Sequence, residues 1–180
     1  MNINVENIKA VKIVFFSGTG GVKRIAEAFK LELLKRGLEV SLNNLDYFLN
    51  NSNNQYKENT PLEDFVILIF PLHAFDAPNP IYDWIRHNQA EQQRIAVISV
   101  SGGGEIWPNT GCRNNCCKEL EQRGFKVVYE RMMCMPSNWV FPNNDHVAMW
   151  LIKVIPKKVS KIVDHLLSGI QCRTNYKMGF

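Results

Sequence analysis

Three short stretches of this chain hold residues able to do chemistry, and the first is Ser17-Gly18-Thr19-Gly20-Gly21-Val22. It follows the apolar run Val11 to Phe16, which reads as a buried strand. It opens a segment from Gly21 to Arg36 whose apolar residues Ile25, Ala28, Phe29, Leu31, Leu33 and Leu34 recur near the helical period. A glycine-rich turn so placed lies at a helix N-terminus, where the first backbone N–H groups lack intrahelical partners and the macrodipole favours negative charge. The spacing therefore predicts a phosphate site made of main-chain donors and the hydroxyls of Ser17 and Thr19, with glycine allowing close approach. Lys23 and Arg24 fit such a site, because cations in a first helical turn oppose the dipole by roughly 0.3–1 kcal/mol each unless an anion is near.

The kind of phosphate is narrowed by what the turn lacks. The spacing is not that of a Walker A loop. Lys23 stands where the third glycine of a dinucleotide fingerprint belongs, and Leu38 to Leu42 runs into Asn43-Asn44 rather than into an acidic residue for a ribose hydroxyl. A nicotinamide dinucleotide site is not expected.

The second stretch is Pro71-Leu72-His73-Ala74-Phe75-Asp76-Ala77-Pro78-Asn79-Pro80, a loop stiffened by three prolines and carrying two aromatic rings. The third is Ser101-Gly102-Gly103-Gly104-Glu105-Ile106-Trp107-Pro108. The elements before them must put them in place. Phe65 to Phe70 is a near-continuous apolar run of the kind covered on both faces of a parallel sheet, and Arg94 to Val100 is a fourth strand after Leu38 to Leu42. Helices are expected with Pro80 near one start and Ile81, Trp84 and Ile85 facing inward, from about Thr110 to Arg123, and from Asp145 to Leu167, where Pro156 either kinks one helix or opens a second. Phe125 to Met135 is the fifth strand, and Asn43 to Pro61 is a long polar connection with a short helical turn near Leu45 to Leu49.

This alternation predicts one α/β domain over residues 1–180, a doubly wound five-stranded parallel sheet with helices on both faces. With strand order 2-1-3-4-5 the strands that carry the three stretches are neighbours, and their loops converge at the carboxyl ends where ligands of such sheets sit. Phosphate at the first loop and a planar ring between the second and third make one consistent site. The expected cofactor contacts are Ser17, Gly18, Thr19, Gly20, Gly21 and Val22, then Pro71, Leu72, His73, Ala74 and Phe75, then Ser101, Gly102, Gly103, Gly104 and Trp107.

Ser17 to Val22 resembles the S-x-T-G-x-T phosphate loop of flavodoxins, with Val22 where that family usually has threonine. From Val11 to about Trp139 the order of features is similar to a flavodoxin domain, most closely that of bacterial ferredoxin-flavodoxin fusion proteins. Those end their fifth strand in a stretch like Met135-Pro136-Ser137-Asn138-Trp139. The ferredoxin module itself is absent here. The resemblance implies a flavodoxin-like fold, non-covalent FMN, electron transfer and a ferredoxin or other iron-sulfur partner. Trp107 is the favoured ring for stacking on the flavin, with Phe75, His73 and Trp139 as alternatives, and the amides of Gly102, Gly103 and Gly104 suit its pyrimidine edge. Many flavodoxins place glycine beside flavin N5, but none occurs between Pro71 and Pro80. Strong stabilisation of the one-electron state is not expected, and His73 could supply the hydrogen bond instead.

Composition sets limits on the rest. The chain has 180 residues, 46% hydrophobic and 21% charged, with a net charge of +4. It lacks an apolar run long enough to span a membrane and a secretory signal, which implies a cytoplasmic protein. Its basic residues form no aromatic-interleaved stripe, so nucleic acid is not an expected partner. Cys112, Cys116, Cys117, Cys134 and Cys172 are an odd set without C-x-x-C spacing, and scattered histidines suggest no metal. Two other functions share the scaffold: an FMN-dependent reductase of quinones or other small acceptors, and an interaction protein that has lost the cofactor. The sequence does not fix the oligomeric state.

Overall fold

The computed structural model describes residues 8–46, 64–106, 108–136 and 144–174. Five strands, β1 (Ala10–Phe15), β2 (Glu39–Asn44), β3 (Phe65–Pro71), β4 (Arg94–Ser101) and β5 (Lys126–Cys134), pair in parallel in the order β2-β1-β3-β4-β5. The helices are α1 (Gly21–Lys35), α2 (Asn79–His87), α3 (Asn114–Gln122), α4 (Asp145–Lys153) and α5 (Ile155–Leu167). The expected fold class is the one observed. Expected strand limits differ from the observed ones by no more than two residues at any end.

The apolar runs explain the layering. Successive strand residues point to opposite faces, so Ile13, Ile67, Ile69 and Ile98 enter one core with Ile25, Phe29 and Leu33 of α1 and Val159, Ile162 and Val163 of α5. Val14, Val66, Leu68, Phe70 and Val97 enter the other with Ile81, Trp84 and Ile85 of α2 and Cys116, Cys117 and Leu120 of α3. The central strand β3 is buried from Phe65 to Phe70, as its unbroken apolar sequence requires. All five cysteines are free thiols, with Cys112, Cys116 and Cys117 buried.

Two helical expectations need correction or completion. The single helix expected from Thr110 to Arg123 divides into a 3-10 segment, Asn109–Arg113, and α3. The tighter winding directs two consecutive residues inward, Cys112 at 5% exposure and Arg113 at 0%, and the arginine finds its partners there. At the other site Pro156 opens a second helix, lying in the first turn of α5, where its missing N–H costs nothing. The short turn near Leu45 to Leu49 lies, beyond Asp46, outside the described residues.

After α5 the chain turns at Gly169 and runs along the outer edge of β5. The Cys172 N–H donates to Val128 O (3.2 Å) and the Glu130 N–H to Cys172 O (2.6 Å). This covers part of an edge that would otherwise present unpaired amides. Arg173 is tied to the body by Glu130 Oε1 (2.6 Å), Glu121 Oε1 (2.7 Å) and Val127 O (2.8 Å). The segment is bound to the body through Thr174, whose hydroxyl accepts from Arg113 Nη2 (2.8 Å). Residues 175–180 lie outside the described set. Among the described residues no helix is long and apolar enough to cross a membrane.

Candidate functional site

Because β1, β3 and β4 are adjacent, the segments leaving their carboxyl ends meet. Ladder bonds continue past the strands: Phe16 N–H to Ile69 O (3.2 Å), Leu72 N–H to Val100 O (2.9 Å) and Met135 N–H to Ser101 O (3.2 Å). The Phe16 and His73 rings meet edge to face at 6.1 Å, linking the first segment to the second. A Cβ built on Gly21 would lie 3.4 Å from Met135 Cε, so the end of β5 also borders the site.

The first segment forms an open cradle. Ser17 is buried, donating its amide to Asp46 Oδ1 (3.0 Å) and accepting the Lys23 N–H on its hydroxyl (3.1 Å). Those bonds fix where the turn leaves the sheet. Gly20, the residue before α1, has φ +85°, a left-handed conformation costly for residues with a Cβ. No side chain caps the helix through this residue, and no acidic residue occupies its first turn. Gly18, Thr19 and Gly20 are exposed, and a Cβ on Gly18 or Gly20 would meet nothing within 4 Å. The result is an exposed glycine turn at a positive helix end, with Lys23 and Arg24 exposed beside it. Val22 is different. Its side chain is 4% exposed and packs into the α1 core, so it adds no side-chain group to the cradle. A threonine hydroxyl is thus replaced by core packing.

The second segment is a tight hairpin turn. His73 N–H donates to Asp76 O and Asp76 N–H to His73 O, both at 2.9 Å. The two central residues, Ala74 and Phe75, have φ of +47° and +63°. Both being left-handed is the pattern of a type I′ turn, usually built from glycine or asparagine. The strain is held by Asp76, whose carboxylate accepts the Ala77 amide (2.8 Å) and the Tyr82 hydroxyl (2.6 Å) on one oxygen and Asn115 Nδ2 (3.4 Å) on the other. Burial first, and then the hydrogen bond to Asp76, push the Tyr82 phenol far above its usual range, so it stays a donor. Phe75 stands at the tip, 66% exposed. Strained turns held from outside cluster at functional sites. Sequence reasoning found this loop but missed Asp76 and Tyr82, the residues that hold its shape. An acid six residues before a tyrosine across a helix start is too common a pairing to announce a lock.

The third segment is tethered at both ends. Gly103 N–H donates to Ser101 Oγ (3.2 Å), and Asn109 Nδ2 donates to Gly104 O (3.2 Å). Gly102 and Gly103 are exposed, and Gly104 is left-handed at φ +77°. Behind it lies a charge cluster centred on Arg113, whose side chain is 0% exposed. It bonds Ser99 Oγ (3.0 Å), Thr174 Oγ1 (2.8 Å) and Glu105 Oε1 (2.5 Å), with Glu130 Oε2 3.5 Å from its Nε. Of the expected contacts, Ser17 to Val22, Pro71 to Phe75 and Ser101 to Gly104 come to one end of the sheet. Trp107, Ser137, Asn138 and Trp139 lie outside the described residues.

No protein family description and no curated protein matches the sequence. Solved structures do match its shape. A general stress protein 14 from Treponema denticola, in complex with FMN, superposes at TM-score 0.63 and 8% identity over 87% of this chain and 99% of that one. Azoreductase AzrA gives 0.57 and 12% over 85% and 98%. Oxidised flavodoxin 1 from Bacillus cereus gives 0.56 and 13% over 87% and 98%. Identities this low concern the fold alone, and none of the three is described as fused to a ferredoxin. In fold this chain is similar to flavodoxins and flavodoxin-like proteins.

Proposed function

We propose that this chain binds FMN non-covalently and carries electrons, with the FMN phosphate on the Ser17–Val22 cradle and the flavin ring between the His73–Asp76 turn and Ser101–Gly104. The observation that carries this is the cradle: a glycine turn at a helix N-terminus with no acidic residue in its first turn, open above Gly18 and Gly20, beside two shaped turns. The donor set fits a phosphate monoester, since backbone N–H groups and the Thr19 hydroxyl donate and Lys23 and Arg24 supply charge. When bound, FMN supplies a flavin that accepts and releases electrons. The chain would orient it, with the Pro71–Phe75 segment along one edge and the amides of Gly102 and Gly104 as donors. His73 and Phe75, both exposed, would flank the ring, with His73 as a hydrogen-bond partner.

Titration of the protein with flavins tests this reading. FMN is expected to bind more tightly than riboflavin, and Thr19→Ala to weaken FMN selectively by about 0.5–1.5 kcal/mol, one hydrogen bond. Equal affinity for the two ligands overturns the phosphate assignment.

For a partner we propose a ferredoxin or other iron-sulfur protein in the cytoplasm. The net charge of +4 complements an acidic surface. Electron transfer from a reduced ferredoxin should slow as salt rises past ~0.1 M, where the Debye length is about 10 Å. Salt-independent transfer, with rapid oxidation of a nicotinamide cofactor by a quinone, favours the FMN-dependent reductase instead. The finer likeness to the flavodoxin module of ferredoxin-flavodoxin fusions is supported by Met135-Pro136-Ser137-Asn138-Trp139 in the sequence alone.

A further inference from the structure

The glycine-rich turn after β4 has little side-chain mass with which to hold a shape. Gly102, Gly103 and Gly104 contribute no packing of their own, and glycine has the most backbone freedom to lose. Ser101 Oγ and Asn109 Nδ2 each tether one point of it, and the residue that follows supplies a third anchor. Glu105 is the adjacent residue, and both oxygens of its carboxylate are engaged: Oε1 accepts from Arg113 Nη2 at 2.5 Å, and Oε2 accepts the Met132 N–H.

The second of these bonds reaches the outer edge of β5. The Glu130 N–H points to that edge, where it meets Cys172 O. Strand amides alternate in direction, so the Met132 N–H two residues on points the same way. The added segment after α5 has gone by, and the Glu105 carboxylate takes the next edge donor in its place. The first bond reaches a guanidinium that cannot move freely, since Arg113 also holds Ser99 of β4 and Thr174 of the C-terminal segment and lies beside Glu130 of β5. Glu105 is therefore pinned between a fixed strand edge and a fixed cation, one residue from Gly104.

We propose that Glu105 is a positioning residue for the ring-side half of the site: its carboxylate, clamped between Arg113 and the Met132 amide, sets the path of Ser101–Gly104. This rests on the FMN reading for its functional meaning, but the clamp itself is testable without ligand. Only a carboxylate serves both donors at once. Glutamine must turn its NH2 toward either the guanidinium or the Met132 N–H, so one bond becomes a donor-donor contact.

The test is amide hydrogen exchange on the ligand-free protein, wild type against Glu105→Gln, followed by titration with FMN and riboflavin. Exchange at residues 102–106 is expected to rise at least tenfold while the central β3 amides stay protected. Both flavins are expected to lose affinity by the same factor, about tenfold, leaving the FMN-to-riboflavin ratio unchanged because the phosphate cradle is untouched. A uniform rise in exchange across the fold, or unchanged exchange at residues 102–106, overturns the clamp. Should the glutamine variant fail to fold, Glu105→Asp substitutes for it. Its shorter carboxylate reaches one donor only, and unchanged exchange at residues 102–106 in that variant overturns the proposal equally. If neither protein binds any flavin while the exchange result holds, the clamp stands and the FMN reading falls.

Discussion

Replacing Arg113 with methionine is expected to lower the stability of the fold by about 3–5 kcal/mol, read as a fall in the urea midpoint at constant slope. The arginine side chain is fully buried, and so is that of Glu130, 3.5 Å from its Nε. Methionine fills much of the volume but leaves Glu130 leaning on Arg173, at 2.6 Å and with 35% of that side chain exposed. It also strips Glu105, Ser99 and Thr174 of their shared donor at one stroke. A charge left buried with reduced compensation costs more than the ion pair contributed, so removing both charges should cost less than the sum of the two single changes. The double variant Arg113→Met with Glu130→Leu is accordingly expected to recover part of the loss. A double variant no better than the sum would mean that packing at Arg113, rather than its charge, carries the effect.

The cluster around Arg113 is also where the sequence was least legible. Its partners lie 14 residues away at Ser99, 8 at Glu105 and 61 at Thr174. Nothing local marks an arginine inside Asn109-Thr110-Gly111-Cys112-Arg113-Asn114-Asn115 as an inward-facing residue. An amphipathic helix reading assigns it to solvent, which is why one helix was expected where the chain winds first as 3-10. The sheet was legible for the opposite reason. Phe65 to Phe70 and Ile95 to Ile98 are unbroken apolar runs, and only a strand covered on both faces disposes of so many consecutive apolar side chains. The turn from Ser17 to Val22 was legible because glycine at Gly20, with φ +85°, is a backbone requirement that shows in composition. The His73–Asp76 turn was legible as a loop but not as a turn type. Its left-handed residues are alanine and phenylalanine, and what stabilises them is the distant Tyr82 and Asn115 rather than their own chemistry.

Gly124→Ala should destabilise the fold by about 2–4 kcal/mol while leaving the proposed preference for FMN over riboflavin unchanged. Gly124 ends the turn after α3 with φ +84°, a conformation that costs an L side chain roughly 1–2 kcal/mol. Space adds a second penalty, since a Cβ there would lie 1.9 Å from the Ala90 carbonyl oxygen, a backbone atom that cannot swing aside. Two hydrogen bonds hold that approach: Ala90 N–H to Arg123 O and Gln92 N–H to Gly124 O, both at 2.9 Å. They stitch the entry to β4 against the entry to β5, at the amino ends of the strands, opposite the cradle. Gly37→Ala provides the control. Gly37 has nearly the same backbone, φ +78°, but nothing lies within 4 Å of its added Cβ, so it should show the conformational cost alone, about 1–2 kcal/mol. Urea unfolding of the two variants separates the terms. If both fall by the same amount, the Ala90 segment yields at no cost and the stitch contributes nothing. If Gly124→Ala falls further, as expected, the difference measures what it costs to part the two strand entries.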